Sequence, residues 1–158
     1  MHFFKHKWQH RDPVIRRQAI KELDSAETGI LCQIAREDES PDIRRLAIRR
    51  LFDLDLLQQL SNEDGDSQTC LLAQSCLSEL LAGSRKTSPE LTVRMDFSAR
   101  HPETVLLAFV ALPGVETDLR RSAQDRITEQ TMLRNFAVND AVLANRLAAL
   151  ERITDTSI

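Results

Sequence analysis

Two stretches of this sequence decide the fold: residues 12–23, DPVIRRQAIKEL, and residues 40–51, SPDIRRLAIRRL. They align without a gap at an offset of 28 residues. The proline, the Ile-Arg-Arg core, the Ala-Ile pair and the closing leucine are identical in both stretches. So many identities in one register indicate an internal repeat rather than a chance similarity.

Weaker copies follow along the chain. Residues 119–127, LRRSAQDRI, keep both arginines and the alanine, and residues 146–153, RLAALERI, repeat the pattern 26 residues further on. Residues 70–77, CLLAQSCL, keep the alanine and the closing leucine but lose both arginines. The repeat therefore extends over most of the sequence.

A shorter motif comes before several of these copies. It has two apolar residues, a gap of two, another apolar residue and a small one, and it occurs at 30–35, 56–61, 106–111 and 132–137. This spacing is typical of one buried stripe on a short helix. The repeat is thus predicted to be a pair of helices, of which the second carries Arg-Arg-x-Ala.

The predicted second helices begin at a proline that follows a capping residue, as in Asp12-Pro13, Ser40-Pro41 and Ser88-Pro89. In residues 83–101 the arginines and the alanine of the motif are missing after the proline. That copy is either degenerate or has lost its first helix into the loop 83–87.

The composition agrees with an all-helical chain. Its 158 residues include only 4 Gly and no Tyr, which disfavours strand-rich folds. We therefore predict a single all-α repeat domain over residues 1–158, a right-handed α-solenoid of about five to six short antiparallel helix pairs.

The tandem motif resembles the HEAT family of helical repeats. Its period of 26 to 28 residues is similar to that of the short bacterial HEAT-like repeats, which also occur in phycobilin lyases. The resemblance implies a curved surface that binds proteins or peptides. It also implies that an arginine of each copy bonds to an Asp of a neighbouring copy and aligns the stack.

The opening residues 3–13, FFKHKWQHRDP, resemble the start of a group of large bacterial cytoplasmic proteins. These carry HEAT-like repeats in front of a long charged helical region of unknown function. After residue 153 the sequence resembles the approach to another first helix, so we expect a fragment of a longer chain. A natural end with a frayed tail is the alternative.

The candidate interaction or stack-aligning residues are the repeated arginines. For the stacking role, Asp12, Asp42 and Asp118 are the expected partners. The alternative is a basic stripe that follows a nucleic-acid backbone, but only residues 1–50 carry more basic than acidic side chains. The candidates are Arg16, Arg17, Arg44, Arg45, Arg120, Arg121 and Arg146.

Other chemistry-bearing residues predict structure rather than a reaction. His2, His6 and His10 lie four apart but have no supporting ligand, and the three cysteines follow no zinc spacing. Phe3 and Phe4 match the repeat 28 residues later, which favours a capping first helix over a membrane contact. We therefore expect no metal, cofactor or catalytic residue, and a cytoplasmic chain with reduced thiols and no membrane partner.

The leading hypothesis is a non-enzymatic scaffold that binds a protein or peptide along a curved helical surface. The first alternative is a HEAT-like nucleic-acid-binding protein, which predicts that Arg17, Arg45 and Arg121 point into an open groove. The second is a lyase-like accessory protein, which would need a deep pocket with convergent polar groups.

Overall fold

The computed structural model describes residues 6–24 and 26–154, and every regular element in these ranges is helical. The prediction of an all-α chain is therefore confirmed. A 3₁₀ turn, Lys7–Gln9, comes first. The α-helices are α1 Pro13–Glu22, α2 Thr28–Glu37, α3 Pro41–Ile48, α4 Leu54–Glu63, α5 Ser67–Ala82, α6 Leu91–Arg100, α7 Thr104–Ala111, α8 Thr117–Arg126, α9 Gln130–Asn139 and α10 Leu143–Glu151.

The first two predicted proline starts are confirmed, because Pro13 and Pro41 open α1 and α3. The carboxylate of Asp12 accepts a hydrogen bond from the backbone N–H of Val14 at 2.8 Å, which satisfies a free amide of the first turn. Ser40 differs from the prediction, since its side chain makes no capping hydrogen bond.

The region 83–101 differs from the predicted pattern at its proline. Helix α6 begins two residues after Pro89 rather than at it. The hydroxyl of Ser88 does not cap the helix but accepts the backbone N–H of Arg85 at 3.2 Å. Residues 83–90 contain no helix, so α6 follows α5 without a first helix of its own.

Two buried positions explain how the helices pack. The alanine of each second helix is buried, and Phe97 takes its place on α6. First helices bury pairs of larger residues against their partners, and α2 packs on α3, α7 on α8 and α9 on α10. The buried alanines are Ala19, Ala47, Ala73, Ala123 and Ala149; the first-helix pairs are Leu31 and Ile34, Leu57 and Leu60, Leu107 and Val110, and Leu133 and Phe136.

The chain forms two compact units, Met1–Leu77 and Ser78–Ile158. Within the N-terminal unit, α1 also packs on α3, and within the C-terminal unit α6 packs on α8. Second helices of successive copies therefore contact each other directly, and the small alanines of α1, α3 and α8 allow this close approach.

The predicted capping helix at the start lies mostly outside the described residues, because His2, Phe3 and Phe4 are not among them. The described part of this segment is a single turn that leaves Trp8 half-buried. Within the described ranges, no helix has both the length and the apolar character needed to cross a membrane.

Candidate functional site

One position in each copy carries the polar interactions that join successive helix pairs. We call it the ladder position, and its occupants succeed one another at intervals of 24 to 28 residues. Four of the six are buried or nearly buried arginines. The ladder position is occupied by Arg16, Arg44, Cys70, Arg94, Arg120 and Arg146.

In the N-terminal unit, two ladder arginines each hold a carboxylate with two hydrogen bonds. Arg16 donates from Nε and Nη2 to both oxygens of Asp38, at 2.8 and 2.9 Å. Arg44 donates in the same way to Asp64, at 2.8 Å for both bonds. Such two-point pairs fix orientation as well as distance.

In the C-terminal unit, Arg94 binds both carboxylate oxygens of Glu116, with Nη1 at 2.8 Å from Oε2. Arg120 donates from Nε to Oδ2 of Asp140 at 3.3 Å, and Gln124 donates to the same oxygen at 2.6 Å. The side chain of Asp140 is fully buried. Each unit thus contains two arginine–carboxylate rungs.

A second contact anchors the ladder residues to the backbone. Each of five donates to the carbonyl oxygen six residues earlier, and even the cysteine at this position does so. The bonds run from Arg16 to His10 at 2.9 Å, Arg44 to Asp38 at 2.8 Å, Cys70 to Asp64 at 3.1 Å, Arg120 to Gly114 at 2.8 Å and Arg146 to Asp140 at 2.8 Å.

Three of the four carboxylates sit at the same point of the fold, directly after the last residue of a first helix. One oxygen of each accepts the backbone N–H two residues further on, which closes a tight turn before the second helix. These bonds join Asp38 to Ser40 at 2.9 Å, Asp64 to Asp66 at 2.8 Å and Asp140 to Val142 at 2.8 Å. The turn therefore aims its other oxygen at an arginine of the preceding copy.

The rungs shift the ionisation of their members. Burial alone would raise the pKa of Asp64, but hydrogen bonds from Arg44 and from a turn amide outweigh it, and the pKa is lowered. The same balance, with the Val142 amide as the strongest opposing donor, lowers the pKa of Asp140. The hydrogen bond from Arg94 lowers the pKa of Glu116.

These shifts predict a loss of stability in acid. A carboxyl whose folded-state pKa lies below its unfolded value, about 3.9 for Asp, stabilises the fold fully above that value. The stabilisation disappears as the pH falls through the folded-state pKa. Melting temperatures measured between about pH 5 and pH 2 should therefore fall with pH, and Asp64→Asn should flatten this dependence. Equal slopes for Asp64→Asn and the parent would contradict the assignment.

A second set of arginines lies six residues after the ladder position and caps the preceding second helix. Arg50 donates to the carbonyls of Ile20 and Leu23, the latter at 2.8 Å. Further along, Arg126 donates to the Ser98 carbonyl at 2.5 Å, and Arg152 to those of Gln124 at 2.7 Å and Ile127 at 2.5 Å. Carbonyls at a helix end lack partners within the helix, so these arginines supply them.

The expected aspartate partners were wrong. Asp12 caps α1, and Asp42 bonds to Arg45 within its own helix. The rung acceptors lie instead in the connections between a first helix and its second helix, 20 to 22 residues after their arginines. Asp118 is exposed in the first turn of α8, and no ladder arginine of the described residues bonds to it.

The second arginine of each pair lies nearer the surface than the first. Arg45 donates to Asp66 at 2.5 Å, and Arg121 pairs with Asp125 within its helix. Arg17 is exposed. Two of the three arginines that the nucleic-acid alternative needs in an open groove are therefore paired with carboxylates.

Arg94 is a ladder residue that was not among the predicted site residues. Alignment of Pro89 with Pro41 places the arginine of this copy two residues too early, where none occurs. The 26-residue spacing backward from Arg120 would have identified it.

Two cavities in the N-terminal unit repeat the same surroundings. The first encloses about 370 Å³ and the second about 400 Å³. Each has a rung at its base and a Gln–Glu pair of a first helix on its wall. In α2, Gln33 donates to Glu37 at 2.9 Å, and in α4 Gln59 donates to Glu63 at 2.9 Å. We call this repeated surface the Gln–Glu groove.

The groove has distinct polar groups at its rim. Glu37 and Glu39 are exposed beside the first cavity, and Glu63 is exposed beside the second. Trp8 lines the first cavity, and its indole Nε1 is buried without a hydrogen-bond partner in the described part of the chain. Helix α2 contributes to both cavities, because Arg36 lines the second.

The described residues hold no group of three or more His, Cys, Asp or Glu side chains arranged to bind a metal ion. All three cysteines are free thiols, and burial raises the pKa of Cys32. In the comparisons with known proteins, no family model, curated protein or solved structure matches this chain.

Proposed function

We propose that this chain is a non-enzymatic protein-interaction module, a HEAT-like stack of helix pairs that holds an extended peptide segment in the Gln–Glu groove. The observation that carries the proposal is the repetition of one cavity, with the same base and wall, on two successive first helices. Packed helices lie about 8–10 Å apart, which matches about three residues of an extended chain. A repeated cavity therefore suits a ligand that is itself periodic.

Two rim glutamates of the groove can bind basic side chains of a peptide. The arginines at its base already hold Asp38, Asp64 and Glu39, so the charges left to a ligand are those of Glu37 and Glu63, beside the exposed Arg11 and Arg36. The side-chain carbonyls of Gln33 and Gln59 remain able to accept backbone N–H groups, since only their amide nitrogens bond to glutamate. The buried Nε1–H of Trp8 would donate to a peptide carbonyl.

The nucleic-acid alternative has less support. Phosphate binding needs exposed cations that can release counterions on contact. Arg16, Arg44, Arg94 and Arg120 donate to carboxylates and carbonyls, and the capping arginines donate to the carbonyls of helix ends.

The test is a selection of displayed random peptides of about twelve residues, long enough to span both cavities at about 3.3 Å per residue. The full chain is the bait, and the affinity of enriched peptides is then measured by fluorescence polarisation. We expect Lys- or Arg-containing peptides whose affinity falls roughly tenfold in Glu63→Lys.

The matched control is Glu22→Lys. Glu22 ends α1 and accepts a hydrogen bond from Gln18 at 2.9 Å, just as Glu63 ends α4 and accepts from Gln59, but it lies outside the groove. A lysine at a helix C-terminus is favourable for the helix dipole, so both variants should remain folded. Equal binding by Glu63→Lys and Glu22→Lys would overturn the proposal, as would a selection that enriches no basic peptide.

A further inference from the structure

One position of the last helix differs from its equivalent on most earlier second helices. The residue four after the ladder position is buried in α1, α3, α6 and α8, and it is half-buried in α5. In α10 this residue is Leu150, which is 53 % exposed. Leu147 is 50 % exposed and Leu143 59 % exposed on the same side, at helical spacing. We call these three leucines and Arg146 the α10 face.

The ladder residue of this face also has an open donor edge. Arg146 donates to the Asp140 carbonyl at 2.8 Å, which is the backbone contact that earlier ladder residues make. Within the described ranges no carboxylate pairs with it, whereas Arg16, Arg44 and Arg120 each hold one. The guanidinium edge that forms a rung in Arg16, Arg44 and Arg120 is thus not bonded to a carboxylate of any described residue.

The cysteine at the ladder position shows that an arginine there goes together with a first helix in the next copy. Cys70 is the single ladder residue that is not arginine, and the chain after α5 is also the place where no first helix follows. Where the next first helix is missing, the arginine is missing too. The last copy has an arginine, Arg146, at this position, so it retains a guanidinium that can bond to the carboxylate of the turn after a first helix.

We propose that the α10 face is a docking surface for a helix–turn–helix segment whose turn carries an aspartate or glutamate. The leucines pack against the two helices, and the turn carboxylate forms a rung with Arg146. Elsewhere in the molecule four segments of this chemistry occupy the equivalent place, and they supply Asp38, Asp64, Glu116 and Asp140. This inference concerns a surface other than the Gln–Glu groove and does not rest on the proposed function.

A second copy of this chain fits the face less well. Its first copy of the repeat has His10 where later copies have the turn aspartate. The imidazole Nδ1 of His10 accepts the N–H of Asp12 at 3.0 Å and so closes the same turn. It supplies the acceptor that the turn needs but not the carboxylate that Arg146 needs.

The test adds a segment of known geometry to the full chain. Residues 27–51, which contain α2, α3 and the turn residue Asp38, are fused after Ile158. Helix α2 and its turn naturally dock on α1 through Arg16. The fused segment carries a segmental isotope label, so that hydrogen exchange measured by mass spectrometry distinguishes its peptides from those of the identical residues 27–51 of the parent. We expect it to be protected, and its protection to fall roughly tenfold in Arg146→Gln and in Asp38→Asn of the fused segment, without a further loss when both are combined.

Two controls keep the outcome interpretable. Arg121→Gln removes an exposed pair on α8 and should leave the protection of the fused segment unchanged. In the chain without the fusion, Arg146→Gln should have the same melting temperature as the parent. This result would show that the substitution does not unfold the protein. A fused segment without protection from exchange would overturn the proposal. Equal protection in the fused parent and in its Arg146→Gln variant would overturn it as well. A concentration-dependent dimer of the unfused chain that Leu150→Glu abolishes would assign the face to a second copy and would also overturn it.

Discussion

Replacement of Asp140 with alanine should lower the free energy of unfolding of the C-terminal unit by about 4 kcal/mol. The substitution leaves the buried guanidinium of Arg120 without its counter-ion. It also removes the acceptor of the side-chain amides of Gln124 and Asn145, at 2.6 and 3.3 Å, and of the Val142 N–H at 2.8 Å. Because the Asp140 side chain is fully buried, water cannot replace these bonds at no cost.

Thermal melting of Asp140→Ala and Asp140→Asn measures this effect. At roughly 2–4 °C per kcal/mol for a chain of this size, Asp140→Ala should melt about 10 °C below the parent. Asp140→Asn keeps an oxygen that can accept the turn N–H, so its loss should be smaller. Asp125→Ala, which removes an exposed pair within α8, should cost less than about 1 kcal/mol. Equal losses for Asp140→Ala and Asp125→Ala would refute the structural role of the rung.

The repeat could be predicted from the sequence because its markers are local. The pairs Asp12-Pro13 and Ser40-Pro41, and an alanine at one register, report helix starts and close helix contacts directly. These features depend on neighbours within a few residues, so their pattern can be recognised in a single sequence.

The identity of the rungs could not be predicted in the same way. Arg44 and Arg45 are adjacent in the sequence, but successive residues of a helix point about 100° apart, so one reaches Asp64 and the other lies nearer the surface. The acceptor lies 20 residues away, at the end of another helix. The resemblance to HEAT repeats implied an aspartate partner, and the sequence offered aspartates close to the arginines, but the packed turn reveals a different one.

The missing first helix shows another limit of the sequence. The arginine of this copy seemed to be absent because the alignment was anchored on Pro89. Packing instead fixes the register through Arg94, whose bonds to the carbonyls of Pro89 at 2.8 Å and Leu81 at 3.2 Å hold the shortened connection in place. A contact network defines this copy better than its local sequence does.

Replacement of Gly83 with alanine should destabilise the C-terminal unit by about 3 kcal/mol. Gly83 follows the last residue of α5 and has φ 78°, a left-handed conformation that costs other residues about 1–2 kcal/mol. A Cβ here would also lie 2.5 Å from Nη1 of Arg94. That guanidinium cannot move aside freely, since it bonds to two carbonyls and to Glu116, so the clash weakens a rung as well.

Urea titration of Gly83→Ala beside Gly65→Ala separates these causes from the general effect of removing a glycine. At Gly65 a Cβ meets nothing within 4 Å, and no positive φ constrains the residue. Gly65→Ala should therefore be neutral or stabilise by up to about 1 kcal/mol, because alanine reduces the entropy of the unfolded chain. Gly83→Ala with a midpoint equal to that of Gly65→Ala would show that Arg94 is not held as tightly as its hydrogen bonds require. A lower midpoint would tie the end of α5 to the Arg94–Glu116 rung, and so explain how the chain passes from α5 to α6 without a first helix between them.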